Sequence, residues 1–127
     1  MEGEAVITLR LRLVVTPQRR DEVATALQSL VGPIRAQSGC SSTRLLRELG
    51  EPYALTFEEE WRERPDLERH LRTPAFRKIL ASMELACEAP LVQVDELGMR
   101  WGFEFIEHAL LADSPADGDL VGRTEVS

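Results

Sequence analysis

Residues 5–15 read Ala-Val-Ile-Thr-Leu-Arg-Leu-Arg-Leu-Val-Val. Ala5, Ile7, Leu9, Leu11, Leu13 and Val15 fall at every second position, with Thr8, Arg10 and Arg12 between them. Side chains of an extended chain point alternately to two faces, so this run specifies a strand that is apolar on one side and polar on the other. Such a strand constrains everything after it, because its apolar face has to be covered by other elements.

The remaining residues supply the cover. Residues 21–37 carry Val23, Leu27, Leu30, Val31 and Ile34 at helical spacing; Gly32-Pro33 is expected to kink or break that helix, and Ser38-Gly39 to stop it. Strands are expected over 43–49 and 53–61, divided by the turn Gly50-Glu51-Pro52. The latter puts Tyr53, Leu55, Phe57 and Trp61 on one side and Thr56, Glu58 and Glu60 on the other. A short helix over 65–72 ends at Thr73-Pro74, an N-cap followed by a first-turn proline. The helix that restarts there has Phe76, Ile79, Leu80, Met83 and Cys87 as its apolar stripe. A fourth strand begins near Leu91, with Val92 and Val94 alternating against Gln93 and Asp95. Phe103, Ile106 and Leu110 then predict a terminal helix over about 102–112.

The order is βαββαβ plus a helix, an α+β, ferredoxin-like arrangement. Crossover handedness interleaves the two halves into a four-stranded antiparallel sheet with its helices on one face and the first strand between the third and fourth. Arg10 and Arg12 then share the polar face with Glu58 and Glu60, which favours that register.

Length and charge narrow the function. The chain has 127 residues, enough for one domain over 1–112, with an acidic, glycine-containing tail over 113–127 that is expected to be disordered. A net charge of −7 repels nucleic acid and anionic lipid, so neither is an expected partner. The longest uncharged run, 23–34, is well short of the roughly 20 residues that span a bilayer. Acids near the N-terminus and two distant cysteines, Cys40 and Cys87, point to a reduced, cytoplasmic protein. Glycine-rich phosphate loops, a nucleophile elbow and metal-spaced His or Cys pairs are all missing from the sequence, so no cofactor and no metal are expected.

Several ordered pieces carry a resemblance. They are Thr16-Pro17-Gln18-Arg19-Arg20, then Gly39-Cys40 followed by Thr43-Arg44-Leu45-Leu46-Arg47-Glu48. Glu59-Glu60-Trp61 closes a strand, and His70-Leu71-Arg72-Thr73-Pro74-Ala75-Phe76 crosses the helix break. Over about residues 5–97 the chain resembles the antibiotic-biosynthesis monooxygenase family, whose fold is a dimeric α+β barrel. The resemblance implies a homodimer formed through the sheets, a pocket between sheet and helices, and in some members oxidation of anthrone-like or quinol substrates without a cofactor. Haem-degrading members carry an asparagine, a tryptophan and a histidine ligand where this chain has Leu11, His70 and Leu80, so haem degradation is disfavoured. Anthrone-oxidising members carry an asparagine and a tyrosine where this chain has Phe57 and Leu67, and only Trp61 is kept. His70 matches a His-x-x-x-Pro-x-Phe form.

His70 is accordingly the candidate catalytic base for a phenol or quinol proton, with a plain hydrogen-bonded histidine as the competing reading. Trp61, Phe57, Leu11, Phe76, Leu80 and Met83 are the candidate pocket for a small apolar or aromatic molecule; packing is the competing role of each. Tyr53 is more remote. Cys40 lacks a basic neighbour that would make it reactive. Glu104 and His108 have metal-compatible i, i+4 spacing without a third ligand, and read better as an exposed ion pair. The expected function is a cofactor-independent monooxygenase of a small aromatic, quinol or polyketide-like substrate; the alternative is a non-catalytic dimer that binds an apolar small molecule.

Overall fold

Strand β1 (Ile7–Val14) is divided as its alternation requires. Ile7, Leu9, Leu11 and Leu13 are each at most 1% exposed, while Thr8, Arg10 and Arg12 remain half-buried. Full burial of one such side chain is worth about 1.5–3 kcal/mol, so this strand alone anchors much of the core. The computed structural model describes residues 6–112; Ala5 and the 113–127 tail, with its expected disorder, lie outside them.

After β1 come α1 (Arg20–Arg35), β2 (Cys40–Glu48), β3 (Glu51–Trp61), α2 (Arg64–His70) and α3 (Pro74–Met83), then β4 (Leu91–Glu96), β5 (Met99–Trp101) and α4 (Phe103–Leu111). The fold is α+β, with one antiparallel sheet in the order β2-β3-β1-β4-β5. The first strand does lie between the third and fourth. The sheet has five strands where four were expected. Leu97 and Gly98 both take positive φ, 51° and 82°, and form the two-residue turn that pairs Glu96 with Met99. Three residues are too few for alternation to reveal β5.

Val23, Leu27, Leu30, Val31 and Ile34 of α1 join the β1 face and Phe76 and Ile79 of α3 in one core. Of the kink or break expected at Gly32-Pro33, the break does not occur: α1 continues through Pro33 to Arg35. The proline stands in the last turn, where its missing N–H costs one bond and Ala36 N–H still reaches Gly32 O at 3.1 Å. Thr73 caps α3 as expected, its hydroxyl accepting from Phe76 N–H at 3.3 Å. Cys87, however, lies beyond the end of α3 and is exposed, and Ser82 is buried in the stripe instead.

Two further faces differ from expectation. Tyr53 is 38% exposed even though its carbonyl still accepts from Val15 N–H at 2.9 Å; the inward face of β3 is Leu55, Phe57, Glu59 and Trp61. In α4 the buried residues are Phe105, Ile106 and Ala109, with Phe103 exposed and Leu110 only partly buried. The Trp101 ring, 5.3 Å from that of Phe105, draws Phe105 inward and sets the helix rotation. Among the described residues no helix is long and apolar enough to cross a membrane.

On the polar sheet face, Arg10 donates to Glu58 at 2.9 Å across the β1–β3 register, and Arg44 of β2 also donates to Glu58. Arg12, on the same face, donates instead to Glu48 of β2 at 2.8 Å. Burial pushes the Glu58 carboxyl up, but hydrogen bonds and charge from Arg44 and Arg10 outweigh it, so its pKa lies below the ordinary value. A carboxyl lowered in the native state stabilises the fold above its unfolded pKa of about 4.3, and that contribution fades as pH falls through the native value. Glu58→Gln should therefore lower stability at pH 7, and the gap from wild type in urea unfolding should close progressively below about pH 4.3.

Candidate active site

Strand parity places Glu59 beside Leu9 and between Phe57 and Trp61, on the apolar side of the sheet. It is fully buried, as are Trp61 and His70. An isolated carboxylate there would be untenable, so its partners define the site. The Trp61 indole N–H, two residues along the same face, donates to Glu59 Oε1 at 2.9 Å. His70 Nε2 lies 3.0 Å from Glu59 Oε2. The two rings stack with centroids 4.8 Å apart, and Phe76 closes the other side edge-on at 5.4 Å.

His70 is delivered by the helix break. It is the last residue of α2, and its carbonyl accepts from Thr73 N–H at 3.0 Å and from the Thr73 hydroxyl at 2.7 Å. The hydroxyl that starts α3 is therefore also tied to the end of α2. With Leu67 and Leu71 also buried, the ring is committed inward.

The second ring nitrogen, Nδ1, meets Gln37 Oε1 at 3.1 Å, at the part-buried edge of the site. Gln37 sits just after α1, in a loop pinned on three sides. Its carbonyl accepts from Cys40 N–H at 3.2 Å, its own N–H reaches Ile34 O at 3.0 Å, and Arg62 N–H donates to Gly39 O at 2.9 Å. Gly39 has φ +87°, and a Cβ there would fall 2.2 Å from the Asp66 carboxyl of α2. Only glycine permits both the left-handed turn and that approach. A side-chain amide offers one acceptor and one donor, so by a half-turn Gln37 can serve His70 whether Nδ1 carries a proton or not. Glu59 thus fixes one edge of the ring while the other faces an adaptable partner. This is the geometry of an oriented acid–base histidine.

The model of the family described as antibiotic biosynthesis monooxygenase matches residues 6–82. The chain belongs to that family. It is 29% identical over 86 residues to the Bacillus subtilis protein named "Putative monooxygenase YcnE", a stretch covering 68% of this chain and 90% of that one. Among solved structures, Rv0793 from Mycobacterium tuberculosis superposes with a TM-score of 0.65 at 24% identity, covering 72% of this chain and 93% of its own. PA3566 from Pseudomonas aeruginosa gives 0.63 at 26% identity, with 78% and 98% covered. The family match takes in Gln37, Glu59, Trp61 and His70 and ends before β4, β5 and α4.

Of the residues named from sequence, His70, Trp61 and Phe76 come together. Leu11 and Phe57 are neighbours across the β1–β3 pair, each 1% exposed. Leu80 packs on the core edge and also lines a separate cavity of about 400 Å³ with Leu71, Arg72, Arg77 and Leu110. Met83 is partly buried against the core. Cys40 is held near Thr43 Oγ1 at 3.1 Å, and burial pushes its thiol up, which disfavours the thiolate. Glu104 turns back to Gly102 N–H at 3.0 Å; the expected pairing with His108 is not made. Among the described residues no three His, Cys, Asp or Glu side chains converge as for a metal ion.

Glu59 and Gln37 were missed by sequence. Counting in twos from Leu55 and Phe57 to Trp61 passes through Glu59, and a charge at an inward position is the signal that could have found it. Gln37 has no such signal, because its position depends on a loop. Glu59→Ala strands His70 and the indole N–H, and should lower the unfolding free energy by about 3–5 kcal/mol in urea unfolding. Glu59→Gln, which keeps both an acceptor and a donor, should cost clearly less.

Proposed function

We propose that the protein is a cytoplasmic, cofactor-independent monooxygenase that oxidises a small aromatic, quinol or polyketide-like substrate with dioxygen. The observation that carries this reading is His70 held by Glu59 at Nε2 and facing the adaptable Gln37 amide at Nδ1. In this reading Nδ1 is the basic nitrogen, and a substrate hydroxyl takes the place of the Gln37 amide. The names of relatives support the reaction class, and the buried pair supports proton abstraction as its first step.

The proposed chemistry balances without a reductant. Neutral His70 accepts a phenolic proton or an activated C–H proton, leaving an electron-rich carbanion or phenolate. That anion reduces dioxygen as a carbon–oxygen bond forms, and the imidazolium returns its proton to give a hydroperoxide. Loss of water from the C–H-bearing carbon leaves a carbonyl. The substrate gains one oxygen atom and loses two hydrogens, which leave with the second oxygen as water. Trp61, Phe57, Leu11, Phe76, Leu80 and Met83 would line the aromatic body, which requires α2 and α3 to yield around it.

One observation favours a second reading. Trp61, His70 and Phe76 are all fully buried, and both ring nitrogens of His70 are already engaged. A non-catalytic dimer that binds an apolar small molecule would look the same. Oxygen uptake with an anthrone or hydroquinone, without added flavin, nicotinamide or metal, separates the two. A folded His70→Ala variant should lose about 10²–10⁴ in rate. An unchanged rate in that variant would make His70 structural, and absence of uptake by the wild-type protein favours the binding protein.

In both readings the polar sheet face is the dimer interface, with Arg10, Glu58 and Arg44 meeting their copies about a two-fold axis. Sedimentation equilibrium at micromolar concentration should give twice the mass of the chain; a monomer would remove this interface.

A further inference from the structure

Strand β5 and helix α4 follow the residues matched to the family, and with α2 they enclose a cavity of about 250 Å³. It lies on the side of α2 turned away from the candidate active site. Leu67 and His70 face the core, whereas Arg64 and Glu68, one turn apart, face the cavity. The Trp101 and Phe105 rings, tilted at 49°, form an aromatic wall. Glu104, His108 and Ala109 of α4 complete it. The volume is below the roughly 300–1,000 Å³ of drug-sized pockets and suits a single-ring molecule.

The charges choose the ligand. The Arg64 guanidinium stands 5.0 Å from both ring centroids and gives one amino group to Glu96 at 2.8 Å, so its charge is balanced within the wall. Glu104 receives backbone N–H groups at the start of α4, which hold its carboxyl low and ionised. Glu68 is half-buried and has no hydrogen-bond or ion-pair partner among the described residues. Glu68 and Glu104 therefore border a cavity whose ring wall, part-buried Trp101 and buried Phe105, carries the Arg64 guanidinium, and with Arg64 paired to Glu96 the two carboxylates leave the lining with an excess of negative charge. An organic anion would face both carboxylates, whereas an ammonium ion gains from the carboxylates and its apolar body from the rings.

We infer that this cavity binds a small primary ammonium compound, its nitrogen at Glu68 and its aromatic or short alkyl body against Trp101 and Phe105. The site is independent of the proposed oxygenase chemistry, since none of its lining residues belongs to the Glu59–His70 cluster.

The test is a titration of the full-length, ¹⁵N-labelled protein with phenethylammonium chloride, and separately with sodium phenylacetate, at neutral pH and matched ionic strength. The Trp101 indole cross-peak and the amides of α2 and α4 should shift and saturate with the ammonium, while phenylacetate binds at least about tenfold more weakly. Glu68→Gln should weaken the ammonium by about fivefold, as for one partly exposed ion pair. Trp101→Leu should abolish saturation, with the unaltered remainder of the spectrum reporting an intact fold. Equal binding of phenylacetate, indifference to Glu68→Gln, shifts confined to the Trp61 indole, or no shift at about 10 mM phenethylammonium would each overturn the inference.

Discussion

A carboxylate in an apolar layer has to be answered by donors, and the answer given to Glu59 organises this molecule. Its two oxygens are met by groups from β3 and α2, and His70 passes the chain of contacts on to the loop after α1. Three segments far apart in sequence are thereby held to one point beneath the sheet. Apolar packing alone tolerates small slips between helix and sheet. A hydrogen-bonded chain through a buried acid does not, because a displaced donor leaves an unpaired charge. The helix break at Thr73-Pro74 belongs to the same arrangement, since it ends α2 where the imidazole is needed.

That dependence also explains the character of the site. Its polar atoms are few and nearly all spoken for inside the protein, with adaptable chemistry only at the Gln37 edge. The aromatic surfaces of Trp61 and Phe76 confine the imidazole between a stacked ring and an edge-on ring. Such confinement fixes the orientation of the imidazole within the protein, as the proposed role of His70 as a base requires.

The fold was largely legible in the chain, and the site only half so. β1 announced itself through eleven alternating residues, and the Arg10–Glu58 pair confirmed its neighbour. Thr73-Pro74 marked the helix restart because capping chemistry is local. Tyr53, Phe103 and Leu110 were misplaced because periodicity supplies a spacing but neither the end of an inward face nor a helix rotation; in α4 it is Phe105, beside Trp101, that turns inward. β5 was invisible because three residues carry no period. His70 was identified as a titratable group with a motif around it, while Glu59 was hidden in a run of three acids whose sidedness matters more than its charge.

The two margins of the sheet are unequal. One is β5, three residues long, and the other is β2, nine residues long with exposed Arg47 and Glu48 along it and a register shift at each end. A free strand margin is a template on which another chain can add by backbone pairing. The short margin offers too little ladder to recruit one, and the long margin is charged and irregular. The protein is thereby guarded against sheet-to-sheet polymerisation, and a variant that smoothed or neutralised β2 would be the one to form fibrils.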